Sequence, residues 1–134
     1  DPETQPIMMR LKSDFSELLE AGIEGRLDQV EAEWDRRVAL GVVLAAAGYP
    51  DNPRKGDAIT GLDTPTGDDA HVFHAGTAID DDQVVVSGGR VLCVTALGDT
   101  VKMAQARAYE IAEPIDFAGR QMRRDIGWRA IKRR

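Results

Sequence analysis

The stretch that decides the fold is S-G-G-R-V-L-C-V-T-A-L-G-D-T-V-K-M-A-Q-A-R-A-Y-E, residues 87–110. It opens with Gly88 and Gly89, a dipeptide that tolerates the positive φ angles of a tight turn. The run that follows, residues 90–97, is apolar at nearly every position and rich in aliphatic side chains. Such a run predicts a strand that is covered on both faces.

A helix is predicted directly after this strand. Gly98 breaks the apolar run, and Asp99 or Thr100 can cap the helix by accepting a hydrogen bond from an unpaired backbone N–H. Apolar residues then recur at steps of three and four up to residue 112, and Pro114 stops the helix. A buried strand followed by a helix that packs back on its sheet predicts an α+β fold.

The composition is that of one ordinary globular domain. The chain has 134 residues, 43% of them apolar and 30% charged, which is enough to bury roughly two-thirds of the unfolded surface. No apolar run approaches the ~20 residues that cross a bilayer, and no signal segment opens the chain. The single cysteine, Cys93, is predicted to be buried in the strand and fits a reducing compartment. We therefore expect a cytoplasmic protein.

Charge is distributed unevenly along the chain. The net charge of −6 argues against a general attraction to nucleic acid. Basic residues nevertheless crowd the C-terminal end: Arg120, Arg123, Arg124, Arg129, Lys132, Arg133 and Arg134. A basic end on an acidic body indicates a local anionic ligand, and a solvated tail is the alternative for the last three residues.

The beginning of the chain predicts one amphipathic helix. Thr4 can cap it, Pro6 fits its first turn, and Gly22 ends it. Its apolar stripe consists of Ile7, Met8, Leu11, Phe15, Leu18 and Leu19. An apolar face of this size needs a partner, either within this chain or between two domains.

Further strands are predicted in the middle of the chain. Residues 39–47 are small and apolar and favour a buried strand. Residues 71–79, 84–86 and 90–97 predict an antiparallel meander, with the first tight turn at Asp80-Asp81-Asp82 and the second at the paired glycines.

Two groups of potential metal ligands do not predict a metal site. His71 and His74 are three residues apart, so on a strand they point to opposite faces, and no cysteine or further histidine joins them. The three aspartates of the turn lack the ligand spacing of a calcium loop. No glycine-rich nucleotide-binding motif is present either. We therefore predict no metal in this chain.

Two clusters remain as candidates for chemistry. Arg123 and Arg124 stand close to Gly127, and paired guanidinium groups present forked donors that match the oxygens of a phosphate monoester. Asp1 and Glu3 lie on a proline-stiffened segment ahead of the first helix, where carboxylates can bind an ammonium group or orient a metal-bound reactant. For each cluster the structural alternative is an ion pair or a helix cap.

Five stretches, taken together, indicate a family. They are D-P-E-T-Q-P-I (1–7), L-G-V-V-L-A-A-A-G-Y-P (40–50), V-F-H-A-G-T (72–77), G-G-R-V-L-C-V-T-A-L-G (88–98) and R-R-D-I-G-W-R-A (123–130). In this order they resemble the C-terminal part of the phosphoribosylamine–glycine ligase (glycinamide ribonucleotide synthetase) family of ATP-grasp enzymes. The combination is specific, and it extends over nearly the whole chain.

The resemblance implies a C-terminal fragment with two parts. Residues 1–38 would be the closing helix region of an ATP-grasp domain. Residues 39–134 would be the C-terminal domain, a small, mainly antiparallel sheet with packed helices, related to the hybrid motif of biotin carboxylases. The family's metal ligands, ATP-covering lid and N-terminal domain would lie outside this chain, so the fragment alone is expected to be inactive and to bind no cofactor.

The resemblance also implies an activity. The family joins glycine to 5-phosphoribosylamine in de novo purine biosynthesis, with hydrolysis of ATP to ADP and phosphate and with Mg²⁺ or Mn²⁺. The expected partners are the missing portions of a monomeric enzyme and these small molecules, with no nucleic acid and no membrane. Arg123 and Arg124 resemble an arginine pair that holds ribose 5-phosphate in a related ATP-grasp transformylase. Asp1 and Glu3 would face the glycine site.

Two other classes of protein stay open as alternatives. One is a small acidic binding module whose basic C-terminal end takes an anion or nucleic acid. The other is a structural interaction domain with an exposed first helix. The nucleic-acid version is weakened because aromatic residues, Trp128 excepted, are not interleaved with the arginines, and because the acidic body would repel the strand.

Overall fold

The centre of the structure, a computed structural model that describes residues 2–132, is a four-stranded antiparallel sheet. In chain order the elements are α1 (Thr4–Arg10), α2 (Phe15–Ile23), a short 3-10 helix (Leu27–Gln29), β1 (Val38–Ala45), β2 (Ala70–His74), β3 (Thr77–Asp80), β4 (Gln83–Val86), β5 (Arg90–Gly98), α3 (Val101–Ala112), β6 (Gln121–Met122) and α4 (Trp128–Lys132). The central sheet has the order β2-β5-β1-β6, and β3 and β4 form a separate hairpin. The predicted α+β class is confirmed.

The apolar core lies between the central sheet and α3. Every residue of β5 after Arg90 is buried, as the strand prediction requires, and α3 packs Ala104, Ala108 and Ile111 against the sheet. The side chain of Thr100 caps α3 by accepting the Met103 N–H at 3.2 Å. The decisive strand and helix therefore form the nucleus that the sequence predicts.

The second face of the sheet is covered more loosely, by α1. None of the residues of α1 is fully buried, although the helix lies across β1 and β5. Gly41 of β1 makes this approach possible, because a Cβ atom there would lie 3.2 Å from Pro6 Cγ and 3.2 Å from Cys93 Sγ. Cys93 is buried between these elements, as predicted.

The prediction of one long N-terminal helix is wrong, because the chain forms two. Leu11 takes an extended conformation and forms a bridge with Trp34. Asp14 then starts α2, since its side chain accepts the Ser16 N–H at 2.8 Å. Thr4 is the first helical residue and not the cap. The prediction failed because the helical spacing of apolar residues continues through the break between α1 and α2.

Two strands of the predicted meander, residues 84–86 and 90–97, correspond to β4 and β5, but the predicted strand at residues 71–79 is divided into β2 and β3, and the predicted pairing is wrong. Asp81 and Asp82 form the tight turn between β3 and β4, with φ angles of 44° and 62°. However, β5 pairs with β2 and β1 rather than with β4. The reason lies at Gly76 and Gly88, where the Gly88 N–H donates to the Gly76 carbonyl at 3.1 Å and the hairpin leaves the sheet. The paired glycines are thus a crossing point and not a hairpin turn.

Candidate functional site

A groove of about 480 Å³ opens on the second face of the central sheet. Small residues of β1 contribute to it, beside the start of α1 and the segment after β6. Its lining residues are Pro2, Gly41, Val43, Ala45, Tyr49, Arg90, Gln121, Met122, Arg123 and Ile126. These described lining residues include two arginines and no carboxylate, so the groove combines apolar surface with positive charge.

A β-bulge brings Arg90 into this groove. Leu44 pairs with Leu92 and Ala45 pairs with Arg90, so Val91 is an extra residue on β5. Side chains of a regular strand alternate between faces, which would put Arg90 on the same face as Leu92, in the core. Because of the extra residue, Arg90 shares the face of its partner Ala45 instead. The bulge therefore directs a guanidinium group to the groove.

Tyr49 stands next to Arg90 and belongs to the same groove. The Tyr49 hydroxyl accepts a long hydrogen bond of 3.5 Å from Arg90 Nη1. The tyrosine ring passes over Gly89, where a Cβ atom would lie 2.9 Å from Cε2 of the ring. Only glycine leaves room for the ring at this position. Gly89 of the Gly88-Gly89 dipeptide thus provides the surface on which the Tyr49 ring packs beside Arg90.

Arg123 reaches the groove from the segment that follows β6. Its exposed guanidinium group donates to both carboxylate oxygens of Asp125, at 2.9 and 2.7 Å. This hydrogen bonding raises the pKa of Arg123 and lowers the pKa of Asp125, so both groups stay charged. The backbone carbonyl of Arg123 accepts from the Tyr109 hydroxyl at 2.7 Å. α3 therefore holds the arginine's backbone in place.

Arg124 points away from the groove. Its guanidinium group pairs with the Glu113 carboxylate just after α3, with a second, longer contact of 3.4 Å from Nη2. Hydrogen bonding from Arg124 is the main cause that lowers the pKa of Glu113. The structure therefore places the two predicted phosphate ligands in separate ion pairs and brings only Arg123 to the groove.

Of the segment predicted to carry a carboxylate cluster, Pro2 is the residue that reaches the groove. Pro2 lines it, and the neighbouring Glu3 is the exposed N-cap residue of α1, with no side-chain cap hydrogen bond. Asp1 lies outside the described residues. The structure thus brings the start of the chain and Arg123 together, which the sequence alone did not indicate.

The other basic residues near the C-terminus have structural contacts. Arg120 is largely buried and donates from Nη1 to the Ala112 carbonyl at 2.8 Å, which satisfies the end of α3. Arg129 and Lys132 lie over the Trp128 ring, at 5.6 and 5.2 Å from its centre. Arg133 and Arg134 lie outside the described residues. The described part of the basic end is therefore divided among separate contacts.

Neither a metal site nor a membrane span is found in residues 2–132. No group of three or more His, Cys, Asp or Glu side chains there is placed to hold a metal ion. None of the helices in this range has the length and the apolar run to cross a bilayer. The described residues thus do not fit a metal ion, and we assign none to them.

An exposed apolar surface lies on the N-terminal elements, and we call it the apolar flank. It is formed by Ile7, Phe15, Leu19, Ile23, Leu27 and Trp34. Phe15, Leu19 and Ile23 follow at four-residue steps on one side of α2, and Ile23 is 86% exposed. A groove of about 640 Å³ beside Trp34 is also lined by Arg10, Arg36 and Arg37. Of the stripe predicted to need a partner, Ile7, Phe15 and Leu19 are therefore exposed, whereas Met8, Leu11 and Leu18 are half-buried.

Sequence reasoning missed Arg90 and Tyr49 as groove residues. The available signal for Arg90 was a charged residue at the start of an otherwise apolar run. Its direction depends on the bulge, which strand alternation does not predict. Tyr49 follows the apolar run of β1, and nothing in its spacing indicates that it meets a residue 41 positions later.

The comparisons with known proteins agree on one family. Residues 39–129 match the sequence profile of the phosphoribosylglycinamide synthetase C domain. Over 99% of its length the chain is 60% identical to a phosphoribosylamine–glycine ligase of Vibrio cholerae and 59% identical to one of Escherichia coli O157:H7. It spans 31% of the length of each of these relatives. A crystal structure of phosphoribosylamine–glycine ligase from Thermotoga maritima matches 81% of this chain and 27% of its own, with 41% identity and a TM-score of 0.66.

Proposed function

The chain belongs to the phosphoribosylglycinamide synthetase C-domain family, and on this premise we propose that it is the C-terminal part of a phosphoribosylamine–glycine ligase. The observation that carries the proposal is the match over 99% of the chain to relatives with that name. The reaction would join glycine to 5-phosphoribosylamine in purine biosynthesis. The chain alone, at 31% of the relatives' length, would be inactive.

The proposed chemistry assigns binding rather than bond making to this chain. The γ-phosphoryl group of ATP passes to the glycine carboxylate, which gives ADP and an acyl phosphate. The amine of phosphoribosylamine then attacks the acyl carbon, phosphate leaves, and the amine proton goes to solvent, so that glycinamide ribonucleotide forms. Polypeptide outside this chain would bind ATP and Mg²⁺ or Mn²⁺. The described residues would hold the sugar phosphate so that its amine stays within reach.

The groove supports this role. Arg123 lies in it with an exposed, doubly donating guanidinium group, and a phosphate dianion can take the place of Asp125 on that fork. Arg124, the second residue proposed for the ribose 5-phosphate, would have to leave Glu113 to join it. Glu3 is proposed for the glycine side because its neighbour Pro2 lines the groove. Asp1 is proposed with it, although it lies outside the described residues.

The proposed domain division has residues 1–38 in the ATP-grasp domain and residues 39–134 in the C-terminal domain. It is supported by the start of the family match at residue 39 and by the start of β1 at Val38. The apolar flank lies wholly before this boundary. We propose that the remainder of a longer, monomeric and cytoplasmic enzyme covers it, since an isolated domain rarely exposes so many large apolar side chains close together.

Nucleic-acid binding is not favoured by the observed contacts. Arg123 is paired with Asp125, and Arg120 and Arg124 are both paired with Glu113. A strand of phosphates needs a continuous positive surface, and these pairs interrupt it. The contacts suit a single phosphate group better.

A graft tests the proposed function. The region of the Vibrio cholerae ligase that matches this chain is replaced by this chain, and glycine-dependent ADP formation is measured with phosphoribosylamine. We expect activity within about tenfold of the parent enzyme, and none from this chain alone. A graft that is folded by circular dichroism and gel filtration, yet inactive at saturating substrates, would overturn the proposal. The unmodified parent is the control.

A further inference from the structure

We propose that Arg90 is the guanidinium group that acts opposite Arg123 on the phosphate of the substrate, and that Tyr49 positions it. This inference rests on the proposed function and adds two residues to the proposed site. Arg90 was not among the residues that sequence analysis singled out. The bulge determines where this side chain points.

The backbone next to Arg90 is irregular. Arg90 follows Gly89 and precedes Val91, the extra residue of the bulge. The bulge interrupts the β1–β5 ladder close to its end, at the edge of the groove. Bulges often occur next to functional sites, where they change the direction of one side chain. Here the side chain that changes direction is the only charged one in β5, a strand that lies wholly within the described residues.

The described lining of the groove brings two guanidinium groups, from Arg90 and Arg123, above the small residues Gly41 and Ala45. Two forked cations match the oxygens of one phosphate monoester, and the small apolar floor leaves room for a neutral sugar ring. A compact sugar phosphate fits this combination better than a polyanion does, since the described lining of this groove supplies two guanidinium groups and not a continuous basic surface.

Tyr49 lies beside Arg90. Its hydroxyl lies 3.5 Å from Arg90 Nη1, and its ring is seated on Gly89. Tyr49 and Arg90 also line a neighbouring groove of about 570 Å³, so together they form the partition between the two cavities. A residue in such a partition limits the directions that the arginine can take. Tyr49 is therefore a positioning residue, and Arg90 is the one that contacts the phosphate.

The test uses the grafted ligase with Arg90→Ala, Arg90→Lys, Arg123→Ala and Tyr49→Phe, and with Arg129→Ala as the matched control. We expect Arg90→Ala to raise KM for phosphoribosylamine at least tenfold and to leave KM for ATP unchanged. Arg90→Lys keeps the charge but loses the fork, so we expect only partial recovery. Tyr49→Phe should raise the same KM about two- to fivefold. Arg129→Ala, which alters a residue held over Trp128, should behave as the unmodified graft.

Binding of ribose 5-phosphate to the graft, measured by calorimetry, supplies the second readout. We expect Arg90→Ala to weaken it at least tenfold, and ribose without phosphate not to compete. If Arg90→Ala has the same KM and the same affinity for ribose 5-phosphate as the unmodified graft, while Arg123→Ala raises KM and weakens binding, this inference fails and the proposed function stands. If the unmodified graft is folded and inactive, the proposed function fails as well. Arg90→Lys preserves the stem of the side chain and decides the matter if Arg90→Ala does not fold.

Discussion

The hydroxyl of Tyr109 donates to the Arg123 carbonyl at 2.7 Å and accepts the Ile126 N–H at 3.2 Å. One side chain of α3 thereby holds both ends of the loop that carries Arg123. The loop contains Gly127 at φ 83°, so its course depends on contacts from outside as well as on its own backbone. The groove is thus tied to the core through this tyrosine.

Replacing Tyr109 by Phe tests this connection. The ring is kept and both hydrogen bonds are lost, so we expect a loss of about 1–3 kcal/mol in the free energy of unfolding. Hydrogen exchange of the amides at residues 124–127 should become faster, while exchange in β5 stays unchanged. Urea denaturation and mass-resolved exchange measure the two effects. Equal midpoints and equal exchange in both proteins would show that the loop does not need the hydroxyl.

Asp35 should make stability dependent on pH. Its side chain accepts hydrogen bonds from the Arg37 guanidinium group, at 2.7 Å from Nη2, and from the Arg37 backbone N–H at 2.8 Å. These contacts hold the pKa of Asp35 well below its ordinary value of 3.8. A carboxyl group with a lowered pKa in the folded state stabilises the fold above its unfolded pKa, and the stabilisation is lost as the pH falls toward the folded pKa.

We therefore expect Asp35→Asn to reduce the difference in unfolding free energy between pH 7 and pH 3. The unmodified chain loses part of the contribution of Asp35 over this range, because pH 3 lies below the unfolded pKa and above the folded pKa, and the variant has none to lose. Urea denaturation at the two pH values measures the difference. Asp80→Asn, in the exposed hairpin, is the control and should leave it close to that of the unmodified chain. An unchanged difference in Asp35→Asn would contradict the prediction.

Two glycine substitutions should have opposite effects. Gly98 lies where β5 meets α3, and a Cβ atom there would overlap the Ala104 backbone nitrogen and lie 2.9 Å from the Met103 carbonyl carbon. Because backbone atoms cannot move aside as a flexible side chain can, we expect Gly98→Ala to destabilise by about 1–3 kcal/mol. Gly22 lies in α2, where no neighbouring atom of the described residues would come within 4 Å of an added Cβ atom. Gly22→Ala should stabilise by about 0.5–1 kcal/mol.

Thermal and urea denaturation of these two variants provide matched measurements of one change at two sites. A Gly98→Ala variant as stable as the unmodified chain would show that β5 and α3 can separate at little cost. That result would show that the close approach of Gly98 to the backbone of α3 does not contribute to stability.

The apolar flank predicts different effects in the short and the long protein. Leu19 is exposed, so Leu19→Ala should change the unfolding free energy of this chain by less than about 0.5 kcal/mol. The matched change Leu44→Ala, in the core, should cost about 2–5 kcal/mol. In the grafted ligase, Leu19→Gln should lower the melting temperature, because there the flank is expected to be covered. An unchanged melting temperature in the graft would show that the flank is exposed in the long protein too.

The central nucleus could be predicted from sequence because its signals are local. The run at residues 90–97 has no polar face, and Thr100 and Pro114 mark both ends of α3. The pairing of the strands could not be predicted, since it depends on the contact between Gly76 and Gly88, which the whole β3–β4 hairpin separates in the sequence.

The groove was predictable only in part, for the same reason. Arg123 carries a visible motif and lies in the groove, and its binding of an anion stays a prediction. The direction of Arg124 depends on Glu113, 11 residues earlier and just beyond the end of α3. The spacing of two adjacent arginines contains no information about which of them an acidic neighbour will take.

The bulge at Val91 also restricts how the length of this chain can vary. Between Gly89 and Leu92 the side chains change the face of the sheet on which they lie. Removing one residue there would restore regular alternation and would place the guanidinium group of Arg90 in the apolar core. Adding one residue there would move Gly89 away from the Tyr49 ring that packs on it. Insertions and deletions in natural variants of this protein should therefore avoid these few positions.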